Sequence, residues 1–195
     1  MAVYALRRDY DKYQELILTY DDYFDNVPAD REYTLDQIES FFSYGLALKD
    51  WWKTIETSFE PADPSVLTVI PDLCSWHGSV LVLSLDAKNK LEKYLDPLGE
   101  FLPITASGDQ FYLFNCFETG VLDDINSKYR KLDGEIIGIE RISFYEADVK
   151  DKLVFKTKFD NCGTLYCTDK FKDLIATLNL KGLVFSSQLH WDEFG

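Results

Sequence analysis

The sequence predicts an α+β fold, with a mostly antiparallel sheet in the C-terminal half packed against a few helices. Three observations lead there. Hydrophobic residues make up 46% of the 195 residues and aromatics 15%, which supplies the apolar surface a folded core needs and excludes global disorder. From Phe101 onward, short runs rich in β-forming residues alternate with turn signals such as Asp133-Gly134 and Asp160-Asn161-Cys162-Gly163. Before that point, apolar residues recur at helical spacing. No linker, low-complexity segment or repeat divides the chain, so a single domain over 1–195 is expected, with a possible seam at Glu60–Pro64 (EPADP) where two prolines disfavour helix and sheet alike.

Val3–Leu6 reads as a first strand. Tyr33–Leu46 reads as a helix, because Thr34 and Gln37 have the spacing of a capping box and Ile38, Phe41 and Phe42 share one face. Val66–Ile70 and Ser79–Leu85 read as strands, the second leading into a helix over about Asp86–Tyr94 that Pro97 and Gly99 close. Strands are then expected at Phe101–Ile104, Gln110–Asn115, Glu135–Tyr145 and Leu153–Phe159. Thr164–Cys167 returns the chain to a helix that Thr168 caps and that runs to about Leu178, and Leu183-Val184-Phe185 forms a last strand.

Charge sets the first limit on function. The chain carries 34 acids and 20 bases, a net charge of −14, and a field of that sign repels phosphate backbones and anionic lipid. Nucleic-acid and membrane-surface partners are therefore not expected. Residues 1–60 hold 13 acids against 6 bases, whereas residues 136–195 hold 9 against 8. The longest apolar run, Val80–Leu85, falls far short of the roughly 20 residues of a membrane span. Arg7 and Arg8 are not followed by an apolar stretch of signal-peptide length. Cytoplasmic localisation, with Cys74, Cys116, Cys162 and Cys167 as reduced thiols, is the expectation.

The densest acidic stretch, Asp9–Asp36, interleaves carboxylates with rings. Asp21, Asp22, Asp25 and Asp30, with Tyr23 and with Trp51, Trp52 and Trp191, are the candidate partner-binding residues. Rings supply contact area and carboxylates steer a basic partner. A solvated acidic face over half-buried tyrosines is the alternative reading of the same pattern. Adjacent tryptophans cannot both point inward on a regular element, so one of Trp51 and Trp52 is expected at the surface.

Motifs of catalysis are sparse. Cys74 and His77 at Cys-x2-His spacing and Cys162 and Cys167 at Cys-x4-Cys spacing are a candidate zinc quartet, with buried structural thiols as the competing account. His77 and His190 are the only histidines, and neither belongs to a nucleophile motif. No glycine-rich phosphate loop occurs. Adjacent acids, as at Asp123-Asp124, diverge on a regular element and do not form an acid–base pair. No cofactor, metal site or catalytic residue is assigned.

One ordered set of phrases is informative as a whole. It runs through Gly99-Glu100-Phe101-Leu102-Pro103-Ile104, Tyr112-Leu113-Phe114-Asn115, Val121-Leu122-Asp123-Asp124-Ile125-Asn126-Ser127, Leu153-Val154-Phe155-Lys156 and Leu180-Lys181-Gly182-Leu183. The succession resembles a family of bacterial immunity proteins from polymorphic toxin systems, typified by a myxobacterial immunity domain. It covers Tyr4 to Trp191, with little matched over Asp9–Asp72. The resemblance implies a non-enzymatic protein that binds and neutralises a cognate toxin by blocking its active surface, with a basic nuclease-type toxin as the candidate target. The oligomeric state is left open. A small cytosolic enzyme or zinc protein built on Cys74, His77, Cys162 and Cys167 is the alternative.

Overall fold

The computed structural model describes residues 1–24, 26–28 and 31–190, the side chain of Ile136 excepted. The expected α+β class is what it shows. In chain order the described elements are β1 (Val3–Arg8), β2 (Glu15–Ile17), α1 (Tyr20–Phe24), α2 (Leu35–Glu39), α3 (Phe41–Tyr44), β3 (Ile55–Glu60), β4 (Leu73–Trp76) and β5 (Val80–Ser84). There follow α4 (Leu85–Leu95), β6 (Gly99–Ala106), β7 (Asp109–Cys116), β8 (Lys128–Leu132), β9 (Glu135–Arg141), α5 (Glu146–Val149), β10 (Val154–Phe155), β11 (Tyr166–Thr168), α6 (Asp169–Thr177) and β12 (Leu183–Ser186).

Six strands form one sheet in the order β2-β3-β6-β7-β5-β4, antiparallel except for the β3–β6 pair. Four form a second sheet, β10-β11-β1-β12, and β8–β9 is a separate hairpin. The larger sheet curls until its edges meet: Gln14 N–H donates to the Val69 carbonyl (3.0 Å) and Val69 N–H to the Lys12 carbonyl (3.1 Å). Strand alternation then feeds two cores. Val80 and Val82 of β5, with Phe111 and Leu113 of β7, face a core closed by Tyr23, Ile38, Phe41 and Trp52. Leu81, Leu83 and Phe114 point the other way, toward Leu91, Phe171 and β1 of the second sheet.

Several expectations are corrected. The helix over 33–46 is two short helices, because the chain kinks at Ser40 (φ −112°, ψ 38°) and Gly45 in the left-handed region ends the second; the Thr34/Gln37 capping box does form. Val66–Ile70 is not a strand, though Val69 makes one isolated bridge to Tyr13. The strand from Leu153 stops at Phe155, where the backbone changes partner: Lys156 N–H donates to the Glu118 carbonyl (2.9 Å) and its own carbonyl accepts from Gly120 (2.9 Å). β2 and β3, not expected as strands, join β4–β7 on either side of the 60–64 loop. Among the described residues no helix is long and apolar enough to cross a membrane.

Candidate functional site: an acidic helical cap held by buried charges

α1, α2 and α3 lie over one face of the six-stranded sheet, and their inward residues explain why. Tyr23 (2% exposed), Ile38 and Phe41 fill the core there, Tyr23 packing edge-on to Phe41 and Trp76 at ring separations of 6.1 and 6.4 Å. Helices this short are not stable alone, so packing of these three residues fixes them in place.

Two buried charged side chains, one on the six-stranded sheet and one just after β10 of the other, tether the cap. Glu100, on β6 and 5% exposed, accepts from Leu48 N–H (2.9 Å), Lys49 N–H (3.0 Å) and the Asn115 amide (3.0 Å). Asn115 donates in turn to the Leu46 carbonyl (2.9 Å), so β6 and β7 together grip the 46–49 segment that follows α3. Lys156, 2% exposed, donates to the Phe42 carbonyl at 2.7 Å. Burial pushes its ammonium below the ordinary lysine pKa. Glu100, Asn115 and Lys156 all belong to the phrases that carry the sequence resemblance, and here their work is to hold the cap.

What the cap presents is acidic and partly aromatic. Asp21, Asp22, Glu32, Asp36 and Glu39 are exposed, together with Phe24 (40%), Leu35 (59%) and Tyr44 (50%). Asp22 is also a local cap: its carboxylate accepts from the Thr19 N–H (2.6 Å) and hydroxyl (2.8 Å). The Tyr44 hydroxyl donates to Asp36. A groove of about 530 Å³ between the cap and the 158–162 turn is lined by Asp36, Ser40, Ser43, Tyr44, Lys158 and Cys162.

The expected contact residues divide accordingly. Asp21 and Asp22 are at the surface as anticipated. Tyr23 and Trp52 are not: Tyr23 closes the core and Trp52 (9% exposed) sends its indole N–H to the Pro103 carbonyl (2.9 Å), so neither ring is offered to a partner. Trp51 is half-buried against Tyr33, at a ring separation of 6.3 Å. Asp25, Asp30 and Trp191 lie outside the described residues. Sequence reasoning did not single out Phe24, Leu35 and Tyr44 as exposed side chains, and the i, i+3 spacing of Leu35 and buried Ile38 points the wrong way, since it places both on one helix face.

The cysteine–histidine quartet does not assemble. Cys74 belongs to the core under the cap and Cys167 to the core on the opposite side of the sheet, and no group of three metal-binding side chains occurs among the described residues. Burial pushes the Cys74 thiol up to about 12 and that of Cys116 to about 11, and raises Cys162 and Cys167 as well; thiols so shifted are poor nucleophiles at neutral pH. His77 occupies the tip of the β4–β5 hairpin at φ 48°, its ring edge-on to Trp76 (4.3 Å) and stacked on Phe42 (6.2 Å). Desolvation, then the Arg8 charge, lowers its pKa below the ordinary histidine value.

The sign of that shift gives a test. The unfolded chain binds the His77 proton more readily than the folded one, so stability is lost as pH falls through 6.5. His77→Asn tolerates the positive φ and does not titrate. Its unfolding free energy, measured in urea between pH 7.5 and 5.5, is expected to fall less steeply than that of the wild type; parallel slopes would show that His77 is not the responsible group.

A second polar cluster joins the 158–162 turn to β11. The Tyr166 hydroxyl donates to Asp160 at 2.7 Å beside a cavity of about 220 Å³, and burial raises the Asp160 carboxyl above its ordinary value. Arg7 lies near enough to oppose that rise, so the cluster reads as a charge-balanced joint between the β1 sheet and the 160–164 turn. No protein-family model matches this sequence, and no curated protein matches it either.

Proposed function

We propose that the chain is a non-enzymatic binding protein that captures a basic protein toxin and covers its working surface, as an immunity protein does. The observation that carries this reading is the helical cap. Residues 18–47 contain seven acids against Arg31 alone, and the exposed ones share the cap with the exposed side chains of Phe24, Leu35 and Tyr44. Carboxylates at that density accelerate encounter with a basic protein by orders of magnitude at low salt, and exposed rings supply the short-range contact area. The buried tethers Glu100 and Lys156 support the reading further, because a surface held in one conformation loses little freedom on binding. The resemblance of the ordered phrases to the immunity family points to the same class of partner, and the acid excess favours a basic target such as a nuclease.

The test is kinetic. Asp22 caps α1 and Asp36 bonds Tyr44, so charge reversal is best placed at Asp21 and Glu32, which have no such duty. Against the toxin encoded beside this chain's gene, Asp21→Lys/Glu32→Lys is expected to associate at least about tenfold more slowly at low ionic strength, with a shallower salt dependence and unchanged circular dichroism. Wild-type rates in the double variant would remove the cap from the interface.

A further inference from the structure

The loop joining β3 to β4 violates the usual inside–outside rule. Through 67–69 exposure alternates, but in the opposite sense from a soluble edge: Leu67 is 97% exposed and Val69 58%, while the polar Thr68 between them is 8% exposed. Val66 (42%) and Ile70 (38%) extend the apolar ridge. The folded chain therefore leaves two large apolar side chains in water while it buries the threonine between them. Places where a local rule is broken without a structural return mark function.

The ridge is not a loose segment. Val69 is bonded through both its N–H and its carbonyl to the 12–14 strand lead-in. At the other end, Asp63 accepts from the Ser65 N–H (2.8 Å) and hydroxyl (2.7 Å), and its carbonyl accepts from Val66 N–H (3.0 Å). Fixed apolar side chains of this kind lose little entropy when they enter a pocket. The exposed charges of the segments that anchor the ridge are mostly carboxylates: Asp11, Glu60 and Asp63, against Lys12, whose ammonium pairs with Asp9 at 2.9 Å.

We infer that the Val66–Ile70 ridge is a docking knob for an apolar pocket rimmed by lysine or arginine on a basic protein partner. This rests on the proposed function and names a second part of its contact surface. A second copy of the chain does not suit the ridge, because the acidic rim and the net charge of −14 would face their own likeness. Cap and ridge are near enough for one partner to span. Both flank β2, and the seven steps from Gln14 to Asp21 reach at most about 25 Å, whereas an interface of about 800 Å² per side is roughly 30 Å across.

A defined probe tests this without any toxin: a 14-residue amphipathic leucine–lysine peptide, followed by amide chemical shifts of the ¹⁵N-labelled protein. Perturbations concentrated at 9–15 and 63–70, with at least tenfold weaker binding to Leu67→Asp, are the expected result. The side chain of Leu67 is almost wholly exposed, so the variant keeps the wild-type melting temperature. Perturbations confined to the cap, undiminished binding by Leu67→Asp, or a wild-type dimer that Leu67→Asp dissolves would each overturn the inference. The adjacent toxin separates the two readings. If it binds wild type and Leu67→Asp alike, the ridge is wrong and the immunity reading stands; if it binds neither while the peptide seats on the ridge, the ridge stands and the toxin is the wrong partner.

Discussion

Glu100→Ala is expected to destabilise the protein by about 4 kcal/mol, a fall of roughly 10 °C or more in melting temperature for a chain of this size. The carboxylate is buried and accepts from two backbone N–H groups of the 48–49 segment and from Asn115. Alanine strands the buried Leu48 N–H and one Asn115 amide hydrogen and frees the part-buried Lys49 N–H, at about 1–3 kcal/mol for each buried donor. Glu100→Gln keeps one acceptor oxygen but turns an NH₂ group toward backbone donors, so a loss of about 2 kcal/mol is expected from it. Because the grip falls on the segment after α3, amides of 41–49 should exchange faster in both variants, while those of α6 change only as global stability does. A loss below about 1 kcal/mol in the alanine variant would show that the carboxylate does not hold the cap.

Gly182→Ala should be similarly severe, at about 3–4 kcal/mol, with soluble yield falling accordingly. Gly182 has φ 124°, and a Cβ there would sit 2.2 Å from the Leu73 carbonyl oxygen and 2.5 Å from the Pro71 Cβ. The neighbouring backbone cannot retreat freely. The Lys181 carbonyl accepts from Asp72 N–H (3.0 Å) and Leu73 N–H (3.1 Å), and Lys181 N–H donates to the Asp72 carboxylate (2.8 Å), which joins the start of β12 to the start of β4. Gly108 is the control. Its φ is 87°, but nothing lies within 4 Å of the added carbon, so Gly108→Ala exposes the backbone strain alone, about 1 kcal/mol. Equal urea midpoints for the two alanine variants would mean that close approach at Gly182 contributes nothing.

Much of the fold was legible because the signals were local. Val80–Ser84 running into α4 and the strong apolar content of β6 and β7 depend on neighbours in sequence, as does the Asp133-Gly134 turn, whose two positive φ angles suit a tight hairpin. β3 was not legible: its segment, Ile-Glu-Thr-Ser-Phe-Glu, buries only Ile55 and Phe59, and its parallel partner β6 lies more than forty residues away. β8 was overlooked although a two-residue turn requires a strand on each side. Val66–Ile70 misled for the opposite reason, since its composition is that of a strand while its apolar side chains face solvent. For the site, net charge disclosed that the surface is acidic, but which rings are exposed is set by tertiary packing. Tyr23 and Phe24 are adjacent and of similar hydrophobicity, yet one is 2% exposed and the other 40%. The phrases behind the family resemblance contributed differently again, for they supply Glu100, Asn115, Lys156 and Gly182, residues that fix the scaffold beneath and beside the cap.

The account rests on capture of a basic protein without chemistry. Titrating the toxin proposed as its partner with this protein, and recording toxin activity together with the mass of the complex, tests that most directly. The predicted result is a stoichiometric complex whose formation silences the toxin, at a rate that falls steeply as salt is raised. A toxin that stays active and free at equimolar protein, or one inactivated by far less than an equivalent through turnover, would contradict it.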